Sequence, residues 1–243
     1  MKNAIKQPAL DSILRINIAQ IYRRAIIMLV ALIMGGVLFN ETGLDRLVSE
    51  LFADGINGFP LRNHWLAKGV LHDAAAKFSV VLAILLMGYN IAQWFKPIAS
   101  IRTIISARYL MWSWLCATLA VAQLKSITKL PCPWNISEFG GNSEYIGLLN
   151  VFSSDYPVGH CFPSGHVTGG YGLIGLVFIA VLYGKPVRHG LLPVLLLGLL
   201  YGGAQMVRGA HFISHDLFSI GICLGSALLW ARFYLFSKLP ART

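Results

Sequence analysis

Cys161-Phe162-Pro163-Ser164-Gly165-His166 runs directly into the apolar stretch 167–183. A second junction of the same kind, Arg208-Gly209-Ala210-His211-Phe212-Ile213-Ser214-His215-Asp216, separates two further apolar stretches. Ionisable groups at a membrane boundary lose hydration and are costly to keep without partners. Two histidine-bearing boundaries in one chain therefore point to one shared site, and their residue types suit phosphate ester chemistry.

Working outward, the apolar stretches recur. They cover residues 25–39, 78–95, 109–124, 167–183, 191–207 and 217–235. Each is close to the ~20 residues that cross a bilayer core. The first is short, and its span is expected to begin near Ile21, with Arg23 and Arg24 snorkelling. The chain is 56% hydrophobic and 12% charged, with a mean hydropathy of +0.64. A soluble domain would be about a quarter charged. The pattern predicts an all-α membrane protein, a bundle of six transmembrane helices forming one domain over residues 1–243. Residues 1–24 form a cytoplasmic or interfacial segment and residues 125–166 a long outer loop. No cleavable signal peptide is expected, because the first apolar run starts late and no small-residue cleavage pattern follows it.

The net charge of +10 could suggest nucleic acid, but its distribution argues against that partner. With the N-terminus in the cytoplasm, 13 of the 20 Lys and Arg fall inside. Nine of the ten acids fall outside, all except Asp11. The positive-inside rule then places both termini in the cytoplasm. The basic balance reads as topology and contact with anionic headgroups of the lipid bilayer.

Before the first span, Leu10, Ile13, Leu14, Asn17, Ile18 and Ile21 form a helical stripe. It reads equally as an interfacial helix or as an extension of the span. Beyond the span, Thr42 resembles an N-cap with Asp45 three residues on. Leu44, Leu47, Val48, Leu51 and Phe52 then repeat at helical spacing. A short amphipathic helix is expected there, ending near Gly55 and Gly58, which either borders a lipid path or packs on the bundle. The outer loop is rich in Pro, Gly and Asn, which favour turns, and a loop this long is usually functional. Of four cysteines, Cys116 and Cys223 fall inside spans as packing residues. Cys132 and Cys161 share the outer loop; they are expected to form a disulfide if that side is oxidising, the alternative being two free thiols. Closing a loop of roughly 30 residues would be worth about 3–4 kcal/mol.

Phosphate ester hydrolysis needs cationic and N–H donors for the dianion, an in-line attacking group and a proton for the leaving oxygen. Lys125 ends the third span. Ser164, Gly165 and His166 precede the fourth, where helix N–H groups favour anions. Arg208 ends the fifth, and His211 and Asp216 lie just beyond. A lone boundary histidine is more often structural; here two such motifs meet a Lys and an Arg on one side. His64, His72 and His189 lack such company and read as structural or solvated. The pair His72-Asp73 with Lys77 is near enough in sequence to the second outer boundary to approach the site.

The set Lys125…Cys132-Pro133, Pro163-Ser164-Gly165-His166 and Arg208…His211…Asp216 resembles the three-part signature of type 2 phosphatidic acid phosphatases, over roughly residues 70 to 235. The resemblance implies a six-helix bundle of the PAP2/haloperoxidase-like type. It implies His211 as the nucleophile that forms a phosphohistidine and His166 as the acid that protonates the leaving oxygen. Lys125, Ser164 and the Gly165 amide would hold phosphoryl oxygens. Neither a metal nor another cofactor is needed. The substrate implied is a membrane lipid phosphate: lipid A, undecaprenyl diphosphate, phosphatidylglycerol phosphate or phosphatidic acid. The outer helix and long loop suit a bulky headgroup, which favours lipid A. The location implied is a bacterial inner membrane with the site facing the periplasm.

Three positions depart from the family pattern. Its first-motif Arg falls on Cys132, its third-motif Arg on Gln205 and its Asp on His215. Lys129, Arg208 and Asp216 stand nearby. Arg208 is expected to bind phosphate and Asp216 to orient His211, with Lys129 and His215 as accessory groups. Rival readings are a phosphotransferase of the same family, a Ser164–His211 intramembrane protease, and a metal site on His211, His215 and Asp216 that lacks the usual metalloprotease Glu. A transporter would need ionisable residues deep in several spans, and these spans have almost none.

Overall fold

A computed structural model describes residues 7–151 and 159–237, with side chains from residue 18 onward. Among the described residues the chain is all-helical. Five stretches are long and apolar enough to cross a membrane: Ile18–Glu41, Trp65–Phe95, Ile101–Asn135, Arg188–Val207 and Ile213–Leu235. We label the helices α1 (Gln7–Glu41), α2 (Leu44–Glu50), α3 (Ala75–Phe95), α4 (Ile101–Thr128), α5 (Thr168–Tyr171), α6 (Gly175–Leu182), α7 (Arg188–Val207) and α8 (Ile213–Trp230). A π-helical stretch, Trp65–Ala74, leads into α3, and another, Ala231–Leu235, ends α8.

The expected fourth span differs. Residues 167–183 form a shorter apolar unit, Thr168–Leu182, in which α5 and α6 are joined by a 3-10 turn, Gly172–Ile174. At 1.5 Å per residue it is about 22 Å long, short of a bilayer core of about 30 Å. Close packing explains the break. A Cβ on Gly170 would lie 2.5 Å from the Gly198 nitrogen of α7, and one on Gly172 would lie 2.2 Å from the Trp114 ring of α4. The unit is therefore a central strut surrounded by α4, α7 and α8. Tyr109, Phe178, Leu224 and Ala227 form the buried cluster beside it.

The second span starts earlier than the sequence suggested. Lys68, His72, Asp73 and Lys77 interrupt its apolar pattern, yet the helix runs through them from Trp65. Helix α1 is continuous from Gln7 to Glu41, which fits an extension of the first span. The side chains of the stripe at residues 10–17 lie outside the described residues.

Helix α2 corrects two expectations. Thr42 does not cap it; Gly43 occupies the N-cap in a left-handed conformation (φ 80°), and the Thr42 hydroxyl donates back to the Leu38 carbonyl. The apolar stripe is not the buried face either. Leu47 and Leu51 are exposed, while Asp45 and Ser49 are buried. Asp45 turns inward because it accepts from the Ser214 backbone N–H at 3.0 Å and from the Ser214 hydroxyl. It thus serves as a cap in trans for the first turn of α8.

Candidate active site

The sequence-predicted site residues gather at the end of the bundle where α4 and α7 finish and α5 and α8 begin, with Lys129 alone among their cations exposed to solvent. The outer loop is pinned there. Cys132 and Cys161 are disulfide-bonded, with Cα atoms 5.2 Å apart. Trp134 N–H donates to the Gly209 carbonyl at 3.0 Å, and Cys161 N–H to the Leu130 carbonyl at 3.2 Å. The Ser164 backbone is clamped to α8: its N–H donates to the His215 carbonyl at 3.2 Å, and its carbonyl accepts from the Ser219 hydroxyl at 2.8 Å. Beyond it, the space a Cβ on Gly165 would enter opens toward Lys125, whose Nζ would be 3.8 Å away. The absence of a side chain at residue 165 leaves the backbone facing that ammonium.

Arg208 is buried where α7 ends. Its Nε donates to the Arg62 carbonyl at 2.9 Å and its Nη1 to the Gln205 side-chain oxygen at 3.1 Å. The turn that follows needs Gly209, which has φ 69°; the Phe59 ring occupies the place a Cβ would take. That turn delivers His211 to the mouth of α8. The His211 and His215 rings are 5.9 Å apart, and His215 is boxed by Phe162 and Phe212, each 5.3 Å from it.

Electrostatics link the groups. Burial pushes the His211 imidazole well below its ordinary range, helped by His215, Lys125 and His166 and opposed by the Cys161 carbonyl. His166 is also lowered, by burial first and by His72, Arg208 and Lys125, while its hydrogen bond to a carbonyl opposes them. Burial lowers Arg208 as well, and Asp73 opposes it. Lys125 thus acts on both histidines.

Seven buried side-chain atoms among the described residues lack a hydrogen-bond partner, and five of them belong to this region. They are Gln205 Nε2, His211 Nδ1 and His215 Nδ1, with Ser164 Oγ and Asp216 Oδ1, whose side chains face each other. An unpartnered buried polar atom costs about 1–3 kcal/mol, so a cluster of them marks a place built to receive a polar ligand.

Some expected pairings do not form. Asp216 is not hydrogen-bonded to His211. It sits beside Ser164, and its Oδ2 would be 2.5 Å from a Cβ on Gly202. Ser164 Oγ makes no hydrogen bond to His211, which disfavours a Ser164–His211 dyad. Lys129 is exposed; it ends α4 with φ 48°, and its carbonyl holds the Gly159 N–H. Among the described residues, no three His, Cys, Asp or Glu side chains are placed to hold a metal ion.

The sequence pattern favours a structural or solvated His72, with an approach to the site as the lesser alternative. The structure stacks its ring on His166, with centroids 4.1 Å apart and planes within 6°. Its neighbours in sequence, Asp73 and Lys77, were the available signal. An apolar groove of about 880 Å³ also opens at His166 and Gly165. It runs between α3 and α4 past Ile84 and Leu115 to Trp94, over which the Arg108 guanidinium lies at 5.3 Å.

Helical spans, with paired buried histidines and cations gathered at one end of the bundle, define a multi-pass membrane protein. Residues 106–239, more than half the chain, match the family model described as the PAP2 superfamily. The chain belongs to that superfamily, whose members are generally phosphatases. No curated protein and no solved structure gives a significant match.

Proposed function

We propose that the protein is a metal-independent phosphatase of a membrane lipid phosphate or diphosphate, acting through a phosphohistidine. The observation that carries this reading is the cluster of unpartnered buried polar atoms beside His166, His211, Lys125 and Arg208. Desolvation keeps His211 neutral, with the lone pair that attack on phosphorus requires. His166 gives its proton to the leaving lipid oxygen as the P–O bond breaks, then takes one from the water that cleaves the phosphohistidine. Lys125, Arg208, Ser164 and the Gly165 N–H hold the equatorial oxygens. Asp216 acts through Ser164, its neighbour, and not through His211.

The groove between α3 and α4 supports a lipid substrate, because its apolar walls meet the histidine end of the bundle. The charge asymmetry of the chain supports a site on the outer face of a bacterial inner membrane with both termini cytoplasmic. A disulfide at the same end supports an oxidising compartment.

The test is phosphate release by the purified full chain from lipid A, undecaprenyl diphosphate, phosphatidylglycerol phosphate and phosphatidic acid. At least one should be hydrolysed, with chelators ineffective and vanadate inhibitory. His211→Ala should abolish release and the acid-labile phosphoenzyme. Retained turnover in that variant would refute the mechanism.

A further inference from the structure

The π-helical stretch Trp65–Ala74 brings an unassigned pair, His72 and Asp73, to the site. His166 Nε2 lies 3.0 Å from the His72 carbonyl oxygen. A carbonyl only accepts, so Nε2 must carry a hydrogen in either charge state of the ring. The exchangeable proton of His166 is then the one on Nδ1. The His72 carbonyl also accepts from the Ala75 backbone N–H, and its second lone pair takes the donor from outside the helix.

The side chain of His72 adds a second contact. Its imidazole lies parallel to that of His166 at 4.1 Å. On its other side, His72 Nδ1 is 2.6 Å from Asp73 Oδ1, and Asp73 Oδ2 is 3.2 Å from Lys68 Nζ. The His72 side chain is one-third exposed, so the pair is open to solvent while its ring touches the half-buried His166 imidazole. The charged and titratable groups facing His166 are His72 from this stretch, Lys125 from α4, Arg208 at the end of α7 and His211 at the mouth of α8. The Tyr201 ring meets it edge-on at 6.2 Å. Asp73 stands behind His72 and also acts on Arg208. Of these, His72 alone is stacked face to face on His166 and paired with a carboxylate of its own.

We propose that His72, braced by Asp73, is a positioning residue for His166: its carbonyl fixes the Nε2 hydrogen, and its stacked ring sets how readily His166 releases the Nδ1 proton. The catalytic part of this role rests on reading His166 as the acid of the proposed reaction. When His72 is protonated, its charge repels a proton on His166 and makes His166 the stronger acid. Turnover and the protonation state of the outer surface are thereby coupled.

The test uses His72→Phe, which keeps a flat ring and the carbonyl but removes the charge, in the full chain in detergent. His72→Gln serves as a second neutral variant should the first fold poorly. Histidine-labelled protein followed by NMR should show the Nε2–H form of neutral His166 in the wild type. The His166 titration should move up by about 0.7 of a pH unit in both variants, the size expected for unit charges about 4 Å apart in a water-like dielectric. An unchanged titration, or an Nδ1–H form in the wild type, overturns the proposal. Phosphate release from dioleoyl phosphatidate micelles reads the second half: the basic limb of kcat/KM should rise by the same amount. If the titration moves and the rate profile does not, the coupling stands and the acid role of His166 falls.

Discussion

Replacing Asp45 by Ala tests whether α8, and with it His211, is held from outside by a single carboxylate. Asp45 is fully buried and accepts from Ser214 N–H at 3.0 Å, from the Ser214 hydroxyl and from Asn40 Nδ2 at 3.3 Å. The Tyr145 hydroxyl, which donates to the Asn40 carbonyl at 2.7 Å, lies 3.4 Å from it. Alanine would strand these donors in a dry pocket at about 1–3 kcal/mol each. The gain on the other side is the desolvation of a carboxylate that burial pushes above its usual range. A lost helix cap alone costs about 1 kcal/mol, and breaking a buried charged network costs about 3–5 kcal/mol. We take a net loss of about 3 kcal/mol, which lowers Tm by roughly 6–12 °C in a chain of this size. The pH dependence has a definite sign. A raised native pKa means that the folded state keeps the Asp45 proton to higher pH than the unfolded chain. The Asp45 contribution to stability is therefore full below the unfolded pKa and declines as pH rises through the folded one. Asp45→Asn should lose less stability than Asp45→Ala and should remove that slope. Thermal unfolding in detergent, read by exposure of the buried thiol of Cys223, measures both effects. A Tm for Asp45→Ala within about 2 °C of wild type, or a persistent slope in Asp45→Asn, would refute the reasoning.

Three further predictions follow from the geometry. Reducing the Cys132–Cys161 bond, or replacing either cysteine by Ser, should cost about 3–4 kcal/mol for a loop of this length; a Tm indifferent to reductant contradicts it. Gly170→Ala should destabilise by about 1–3 kcal/mol or more, because its Cβ meets the Gly198 backbone at 2.5 Å. Gly203→Ala, where nothing lies within 4 Å, is the control expected to be neutral. In pH–rate profiles, the acid limb of kcat/KM should lie well below the ordinary histidine range, since His211 must be neutral and burial keeps it so. The basic limb, lost as pH rises through His166, should lie higher in kcat than in kcat/KM, because a bound phosphate dianion favours charged His166. An acid limb near 6.5, the ordinary histidine value, would argue against His211 as the neutral nucleophile.

Linear pattern was enough for the membrane character, the helical class and the superfamily. Apolar runs near bilayer length leave few other solutions for backbone hydrogen bonds. Pro163-Ser164-Gly165-His166 and the Gly209–His211 turn sit at run boundaries that can be read without coordinates. The length of the fourth run could not be read this way. Gly170, Gly172 and Gly175 look like ordinary membrane-helix residues until α4 and α7 are seen to press on them. Nor could the partners of charged side chains. Asp45 looked like part of a local cap, yet it reaches across 169 positions to Ser214. Asp216 adjoins the His211 segment in sequence but faces Ser164 in space, and His72 is 94 positions from the His166 on which it stacks. Periodicity reports which face of a helix is apolar. Which polar atom finds which partner depends on how helices cross, and that is decided by packing between segments far apart in the chain.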